Sequence, residues 1–312
     1  MSITSIRLDT SSAPIRTFHH SEFPLERILA AKGSTTVSVC LPARNEEATV
    51  GAIVSVLRDE LLARGAIDEI VVLDDHSEDR TAALARDAGA RVADAAEVLA
   101  DYGSGHGKGE ALWKSLFVTD GDIVLWCDSD ITEFGPRFVT GLLGPLLCEP
   151  GVDLAKGYYR RPQREREGGG RVTELVARPL LSLYYPHLAG LHQPLSGEYG
   201  GRRDVLERLP FFRGYGVDIG LLIDLADRVG IDGLVQVDLD IRMHRNRSLS
   251  ELGPQATAVL QTLLCRLDPE LTPTVTELVR PGLTPVKVDV SERPPMVEVP
   301  DYRAQRAASN TN

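Results

Sequence analysis

Short apolar runs and amphipathic stretches alternate along the first half of the chain. The runs predict strands and are Thr36–Leu41, Glu69–Asp75, Ala90–Ala93 and Ile123–Cys127. Ile123–Cys127 lacks polar alternation, which is typical of a strand buried on both faces of a parallel sheet. The stretches between them carry apolar residues at helical spacing, namely Ala48–Ala63, Arg80–Ala88 and Glu110–Val118. This order of strands and helices predicts an α/β fold with a doubly wound, mostly parallel sheet.

The pattern changes after residue 131, where glycine-rich loops interrupt the periodic segments. We predict helices over Arg137–Leu147, Val172–Tyr184, Ile219–Val229 and Gln255–Leu267, strands over Leu154–Tyr159 and Leu234–Met243, and loops over Arg160–Gly170 and Leu195–Gly201. Residues 1–35 form a polar arm with a short helix near Leu25–Ala31, and the proline-rich residues 269–312 form a tail that wraps or stays disordered. The boundaries divide the chain into 1–35, 36–131, 132–268 and 269–312.

Two carboxylates follow the strand Ile123–Cys127 at once, in Asp128-Ser129-Asp130. Ligands of open α/β sheets bind beyond the carboxyl ends of the strands, so this pair can reach a metal ion that also holds substrate phosphates. The pattern is weak by itself, because Asp238-Leu239-Asp240 repeats the spacing and a solvated strand end explains it equally well. A metal site at this pair therefore needs further evidence from the neighbouring loops.

Three further loops are expected at the same edge of the sheet. Pro42–Glu47 follows the first strand, and there Asn45 can cap the next helix while Glu46 can accept hydrogen bonds from a ribose or base. Asp74–Ser77 follows the second strand, and Gly105–Gly109 precedes a helix whose N-terminus and Lys108 favour phosphate. Each loop alone is compatible with a plain helix cap. Together with the two carboxylates they indicate a nucleoside diphosphate bound with a divalent cation.

Composition narrows the class of protein. A chain of 312 residues that is 43% hydrophobic and 25% charged has the composition of a globular protein, and its net charge of -11 argues against nucleic-acid binding. Four dispersed cysteines predict reduced core residues rather than disulfides or a zinc site. With no signal-like segment and no membrane-spanning run, we expect a cytoplasmic protein without membrane contact. Anionic ligands then need local cations, for which the chain offers Lys156, Arg160, Arg161, Arg164 and Arg166.

Longer motifs carry a family resemblance. Leu41-Pro-Ala-Arg-Asn-Glu-Glu47, Leu73-Asp-Asp-His-Ser-Glu-Asp-Arg-Thr81, Gly107-Lys-Gly-Glu-Ala-Leu-Trp113 and Asp128-Ser-Asp130 follow one another as in glycosyltransferases of the GT-A fold. Gly168–Leu181, Gln193–Tyr199, Gly214–Asp224 and His244–Arg247 further resemble the actinobacterial glucosyl-3-phosphoglycerate synthases and their mannosyl-3-phosphoglycerate synthase relatives. The similarity runs from about Val37 to about Leu267.

The resemblance implies a retaining transfer of glucose or mannose from a nucleotide diphosphate sugar to the 2-hydroxyl of 3-phosphoglycerate. Residues 36–131 would be the half that binds the nucleotide sugar, through Pro42, Ala43, Arg44, Glu46, Asp75, Lys108, Asp128 and Ser129. Residues 132–268 would bind the acceptor, through Gly170, Arg171, Thr173, Tyr215 and Asn246. The metal, Mg²⁺ or Mn²⁺, would be held by Asp128, Asp130 and His244, and the residues given catalytic roles are Asp218, Arg171 and Asn246.

Two positions depart from the family pattern. The family commonly has Ser-Gly where this chain has Asp75-His76 in a loop that contacts the nucleoside, which leaves UDP and GDP open as carriers. It usually has Glu at the Asp218 position, so the carboxylate is one methylene shorter here. Family members are commonly homodimers, and the apolar helix Val172–Leu183 with Tyr184 and Tyr185 offers either an interface or core residues.

Three alternative functions stay open from the sequence. One is a glycosyltransferase of the same fold with another acceptor. A nucleotidyltransferase is disfavoured, because its glycine-rich signature with Lys or Arg is absent from Pro42–Glu47. A non-catalytic nucleotide-binding protein is the third, and the intact Asp128, Lys108 and Arg171 argue against it.

Overall fold

A computed structural model of the chain describes residues 14–103, 105–161, 170–243, 248–271 and 276–309. Its strands, in chain order, are β1 (Arg16–His19), β2 (Val37–Ala43), β3 (Glu69–Asp74), β4 (Arg91–Asp94), β5 (Ile123–Trp126), β6 (Leu154–Arg160), β7 (Tyr199–Arg202), β8 (Phe211–Phe212), β9 (Leu234–Ile241), β10 (Glu277–Arg280), β11 (Leu283–Lys287) and β12 (Glu292–Arg293). Most of the predicted strands are thus present with small shifts at their ends.

The helices separate these strands. They are α1 (Leu25–Lys32), α2 (Val50–Val56), α3 (Thr81–Ala88), α4 (Lys108–Val118), α5 (Arg137–Cys148), α6 (Arg178–Tyr184), α7 (Arg203–Leu206), α8 (Val217–Val229), α9 (Leu249–Leu267) and α10 (Pro300–Ser309). Turns of π-helix extend two of them, Leu57–Leu62 after α2 and Thr173–Ala177 before α6. Among the described residues, no helix has both the length and the apolar character needed to cross a bilayer.

Eight strands form one sheet in the order β1-β9-β6-β7-β5-β2-β3-β4. Every neighbouring pair runs parallel except those of β7, which is antiparallel to both β5 and β6. All residues of β5 are buried, which explains why this strand shows no polar alternation. The predicted doubly wound, mostly parallel sheet is confirmed.

Helices cover both faces of the sheet. One apolar layer includes Ile28 of α1, Ile53 of α2 and Phe138 of α5, and the opposite layer includes Leu112 of α4 and Leu222 of α8. The sheet continues through residues 36–131 and 132–268, so the two predicted halves share one framework. Cys40 and Cys127 are buried, as expected of core residues, and Cys148 and Cys265 are half-buried.

The predicted short helix near Leu25–Ala31 is confirmed as α1, but the extended arm before it is wrong for the described residues. Arg16–His19 pairs in parallel with β9 and forms an edge of the main sheet. Phe23 and Ile28 then anchor the following segment in the core, where they are 1% and 0% exposed. A strand of four residues is too short for its alternation to be recognised in the sequence.

The predicted loop Leu195–Gly201 ends in the central strand β7, which the sequence did not indicate. Its two glycines explain the difference. A Cβ at Gly200 would lie 2.3 Å from the carbonyl oxygen of Val124, and one at Gly201 would lie 2.4 Å from that of Asp153. Glycine is therefore required where this strand passes between its neighbours, although glycine weakens a strand prediction.

The carboxyl-terminal segment wraps around the domain over its described residues. Glu292 and Arg293 pair with β8, and Met296, Val299 and Tyr302 are buried. The indole nitrogen of Trp113 in α4 donates to the carbonyl of Pro294 at 2.7 Å. The segment is thus part of the core around α4, and the disordered alternative is wrong for residues 276–309.

Candidate active site

A cavity of about 550 Å³ opens at the carboxyl edge of the sheet. Its wall is formed by the loops after β2, β3, β5 and β9 and by the starts of α4 and α8. The predicted site residues that line it are Pro42, Ala43, Arg44, Glu46, Asp75, Lys108, Asp128, Ser129, Asp130, Gly170, Arg171, Thr173, Tyr215 and Asp218. The other two, His244 and Asn246, lie outside the described residues. Loops far apart in sequence therefore meet in one place.

The acidic pair after β5 is held by an arginine that the sequence analysis missed. Arg242, just beyond β9 and 4% exposed, places Nη2 at 3.0 Å from Asp128 Oδ2 and 2.5 Å from Asp130 Oδ1. Burial alone would raise the pKa of Asp128, but Lys108 and Arg242 outweigh it and hold that pKa well below its usual range. Asp128 is thus ionised at neutral pH.

These residues fit a divalent metal ion. Carboxylate oxygens are the ligands that Mg²⁺ and Mn²⁺ prefer, and the guanidinium of Arg242 shows that both carboxylates can face one cation. Gly197 makes room for the pair, since a Cβ there would lie 2.0 Å from Asp128 Oδ2. Asp128 and Asp130 could hold the ion, with the predicted ligand His244 outside the described residues.

Lys108 provides a fixed cation beside the acidic pair. Its Nζ lies 3.1 Å from Asp218 Oδ1 and 3.5 Å from Asp128 Oδ1. Burial would lower the pKa of Lys108, but the two carboxylates outweigh burial and raise it above its ordinary value. The preceding Gly107, with φ +101°, turns the chain into α4 so that Lys108 opens the helix at the cavity. A protonated amine at a helix N-terminus is suited to phosphate.

The loops after β2 and β3 form the other wall of the cavity. Asp75 is buried, and its Oδ2 accepts the Gly107 N–H at 3.0 Å while its Oδ1 lies 2.9 Å from His76 Nδ1. The ring centres of His76 and His106 lie 4.0 Å apart, with the ring planes tilted by 43°. Asn45 does not cap its own helix as predicted. With φ +56° it instead links the loops, and its Oδ1 accepts the Glu78 N–H at 2.8 Å.

The segment before α6 forms a corner suited to an anion. Gly170 has φ +75° and its carbonyl accepts the Glu174 N–H at 2.8 Å, which starts the helix. Arg171 is exposed, Thr173 is buried and Tyr215 is 38% exposed at the cavity wall. Arg161 adds a second guanidinium to the wall. Guanidinium and hydroxyl donors are typical partners of phosphate and carboxylate.

A buried polar layer lies behind the cavity. Lys156 of β6 donates to the Ser196 carbonyl at 2.9 Å, and its Nζ lies 3.8 Å from the centre of the Tyr199 ring. Burial lowers the pKa of Lys156 to about 8. Burial also raises the pKa of Glu198, whose Oε1 lies 3.4 Å from Arg242 Nη1. The sequence indicated only that Lys156 adds positive charge, and Glu198 had no signal beyond its position between two glycine-rich stretches.

Comparisons with known proteins agree with this geometry. Residues 38–207 match the family described as Glycosyl transferase family 2. Glucosyl-3-phosphoglycerate synthase from Petrotoga mobilis is 43% identical over 311 aligned residues, covering 92% of this chain and 95% of that protein. The crystal structure of mannosyl-3-phosphoglycerate synthase from Rubrobacter xylanophilus matches with a TM-score of 0.83 and 39% identity, covering 91% of this chain and 97% of that one.

A ligand-bound structure is similar as well. Glucosyl-3-phosphoglycerate synthase from Mycobacterium tuberculosis in complex with Mn²⁺, UDP-glucose and phosphoglyceric acid matches with a TM-score of 0.82 and 44% identity. The match covers 91% of this chain and 99% of that one. The same protein has also been crystallised with Mg²⁺ and UDP.

Proposed function

Since this chain belongs to the glucosyl-3-phosphoglycerate synthases and to glycosyl transferase family 2, we propose that it transfers glucose from a nucleotide diphosphate donor to the 2-hydroxyl of 3-phosphoglycerate. The anomeric configuration is retained. The observation that carries the proposal is one cavity that combines an acidic pair, a fixed lysine and an arginine–threonine corner. These are the groups needed for a metal, a diphosphate and an anionic acceptor.

The donor binds along the loops after β2, β3 and β5. Pro42, Ala43 and Asp75 line the nucleoside end, and Lys108 supplies positive charge to the diphosphate. Mg²⁺ or Mn²⁺ on Asp128 and Asp130 supplies Lewis-acid stabilisation of the leaving diphosphate. Lys108 and Arg242 belong to the same cluster and stabilise the negative charge that grows on the leaving group.

The acceptor binds at the corner before α6. Arg171 and Thr173 hold its phosphate or carboxylate, and Tyr215 faces it from the start of α8. Asn246, by family resemblance, joins them. Binding at a fixed corner orients the 2-hydroxyl toward the anomeric carbon, which is the positional contribution of the enzyme.

The transfer proceeds on one face of the sugar. The bond between the anomeric carbon and the diphosphate oxygen breaks, the bond to the acceptor 2-oxygen forms on the same face, and the acceptor proton moves to the departing diphosphate. Asp218 is a poor nucleophile for a covalent intermediate, because both its oxygens lie near the ammonium of Lys108, at 3.1 and 3.2 Å. Its role is to hold Lys108 and to accept a hydrogen bond from a substrate hydroxyl.

The experiment is nucleotide release by the purified chain with Mg²⁺, 3-phosphoglycerate and UDP-glucose, GDP-glucose or GDP-mannose offered separately. We expect release that needs the acceptor, stops with EDTA and is fastest with a glucose donor. Asp130→Ala should lower the rate by about 100-fold or more, while Glu133→Ala, an exposed carboxylate in the same loop, should leave it unchanged. Folded protein that releases no nucleotide with any donor would contradict the assignment. Faster release with GDP-mannose would mean that the transferred sugar is mannose.

We further propose a cytoplasmic homodimer. Support for the dimer comes from Leu175 and Leu183 at 74% and 63% exposure and from Tyr184 at 39%, all at or before α6, whereas Ala177 and Leu181 of the same region are buried. Exposed apolar side chains in this number are typical of interfaces. Light scattering during size-exclusion chromatography would give the mass of two chains, and the mass of one chain would contradict it.

A further inference from the structure

His19, His20 and Asp240 meet where β1 ends beside β9, outside the cavity described above. His20 Nε2 lies 2.7 Å from Asp240 Oδ2, and His19 Nε2 lies 3.3 Å from Asp240 Oδ1. The potential ligand atoms of all three side chains lie within 4.8 Å of one another. The cluster therefore presents two imidazoles and one carboxylate to a common point.

The backbone of β9 fixes the carboxylate in this cluster. Pairing with β6 shifts register between Tyr158 and Arg160, and Asp240 adopts φ +67° at this bulge. The N–H of Asp240 donates to Asp238 Oδ1 at 2.9 Å. Arg137 donates to the carbonyls on either side, Leu239 at 3.0 Å and Ile241 at 2.7 Å. Bulges commonly re-aim a side chain, and here the bulge holds the carboxylate beside the histidines.

We propose that His19, His20 and Asp240 bind a divalent transition-metal ion such as Zn²⁺. Ligand atoms of a tetrahedral zinc ion are about 3.4 Å apart, given metal–ligand bonds of about 2.1 Å. The two imidazole nitrogens lie 3.3 and 2.7 Å from the two oxygens of Asp240, and one ligand atom from each side chain lies within 4.8 Å of the others, so side-chain shifts of this size bring them around one ion. His19 Nδ1 accepts the Ser21 N–H at 3.3 Å, so Nε2 carries the ring proton toward Asp240 and releases that proton when it binds the metal. The side chains are 41%, 19% and 42% exposed, so an ion can enter and keep water ligands.

The ligand chemistry separates this site from the acidic pair of the cavity. Two imidazoles with one carboxylate favour Zn²⁺, Co²⁺ or Ni²⁺, whereas the cavity site has two carboxylates, Asp128 and Asp130, and one predicted imidazole, His244, which shifts its preference toward Mg²⁺ or Mn²⁺. Metal binding would hold the end of β1 against Asp240 of β9. Asp240 precedes Arg242 by two residues. The site thus links the amino-terminal edge of the sheet to the strand that leads into the acidic pair, and it does not depend on the proposed transfer reaction.

A second cluster makes a useful comparison. Asp75, His76 and His106 also lie within 4.8 Å of one another, but Asp75 and His106 line the cavity, where a nucleotide would compete with an ion. Zinc binding must therefore be assigned by variants that remove one cluster at a time. His187, in the turn after α6, is a histidine outside both clusters and serves as the matched control.

The experiment uses the full chain without a histidine tag, stripped with a chelator and kept in excess Mg²⁺. Zn²⁺ binding is measured by calorimetry and native mass spectrometry, and Co²⁺ binding by visible absorption. We expect wild type, His187→Ala and the double variant His76→Ala/His106→Ala to keep a zinc ion that His19→Ala/His20→Ala loses. Asp240→Asn should bind Zn²⁺ more weakly, by about tenfold or more.

The asparagine variant guards against a misfolding artefact, because Asn tolerates a positive φ and keeps the hydrogen-bonding shape of the side chain. Equal zinc binding by wild type and His19→Ala/His20→Ala would overturn the proposal. Loss of the ion only in His76→Ala/His106→Ala would overturn it too, and so would a wild-type chain that binds no zinc.

Discussion

The charged side chains in the cavity form ion pairs with one another. Asp128 accepts a hydrogen bond from Arg242 and forms an ion pair with Lys108. Lys108 also forms an ion pair with Asp218. Because they are paired with opposite charges, Asp128 and Lys108 stay charged before substrate arrives. Asp218 thus holds Lys108 in place, and Lys156 is a buried, weakly basic amine.

Replacing Asp218 by alanine should leave measurable turnover. The variant loses the partner of Lys108, so we expect the transfer rate to fall by about 10- to 100-fold, without abolition, because no bond to Asp218 is made during transfer. Nucleotide release and intact-protein mass spectrometry measure both points. A glycosyl adduct trapped on Asp218 would contradict single-face transfer.

Lys156 should make stability depend on alkaline pH. Its pKa is about 8 in the folded chain against an ordinary 10.5, so between these values the unfolded chain holds a proton that the folded chain has released. The unfolding free energy of wild type relative to Lys156→Met should therefore rise with pH, by about 2 kcal/mol from about pH 7 to about pH 10. Denaturant titrations of both proteins measure the difference, which also cancels the titration of groups they share. A flat or falling difference would show that the amine is not buried as described.

The sequence indicated cavity-lining side chains where they belong to a long motif and missed Arg242, which no motif marks. Asp128 and Lys108 were found because strand ends and glycine-rich turns mark them. Arg242 lies in the predicted strand Leu234–Met243 and was missed, because its contact with Asp128 joins residues 114 positions apart across the strands β6 and β7 that separate β9 from β5. Non-local pairing is not encoded in local pattern, and so the partner of an acidic pair cannot be read from its spacing.

Among the secondary-structure elements, α4 depends most visibly on tight packing. Gly109 is its second residue, and a Cβ there would lie 1.7 Å from the carbonyl oxygen of Phe212. The close approach lets the Glu110 N–H donate to the Arg213 carbonyl at 2.9 Å. The helix that carries Lys108 is thereby fixed against β8.

Gly109→Ala should lower the unfolding free energy by about 3 kcal/mol or more, because the clash is with backbone that cannot move aside. Gly51→Ala is a matched control. Gly51 is also the second residue of a helix, yet its nearest contact would be 3.7 Å away, so the change should be neutral or stabilising by up to about 1 kcal/mol. Denaturant midpoints compare the two variants, and equal losses would contradict the packing argument.

Element prediction was accurate for strongly periodic segments and poor for short or glycine-rich ones. The strands β2, β3 and β5 are buried apolar runs that any sheet of this type requires. The strands β1 and β7 were missed. The first is short, and the second contains two glycines that are needed because neighbouring backbone lies too close for a Cβ atom. Local composition does not reveal such contacts.

For the whole molecule, the carboxyl-terminal segment completes the core instead of hanging free. Arg293 makes two bonds to Glu110 of α4, at 2.7 and 2.8 Å, and Glu110 is 1% exposed. Tyr302 donates to Glu207 at 2.6 Å from the other end of the segment. The last part of the chain therefore holds the helix that carries the site.

Arg293→Ala should cost about 3 kcal/mol of unfolding free energy, because it removes one partner of a buried ion pair and leaves Glu110 with only Arg213 and Lys114 as cationic neighbours in the described part of the chain. Arg303→Ala, an exposed arginine of α10, should change it by less than about 0.5 kcal/mol. Thermal and denaturant unfolding measure both. Matching stabilities would mean that the segment contributes little to the core.

The chemical structure of the reaction product tests the proposed transfer. The chain is incubated with Mg²⁺, the preferred nucleotide α-glucose and 3-phosphoglycerate, and the product is analysed by mass spectrometry and NMR. The account predicts an α-linked glucose on the 2-oxygen of 3-phosphoglycerate. A β-linked product, or sugar attached elsewhere, would contradict the transfer geometry that the cavity is proposed to enforce.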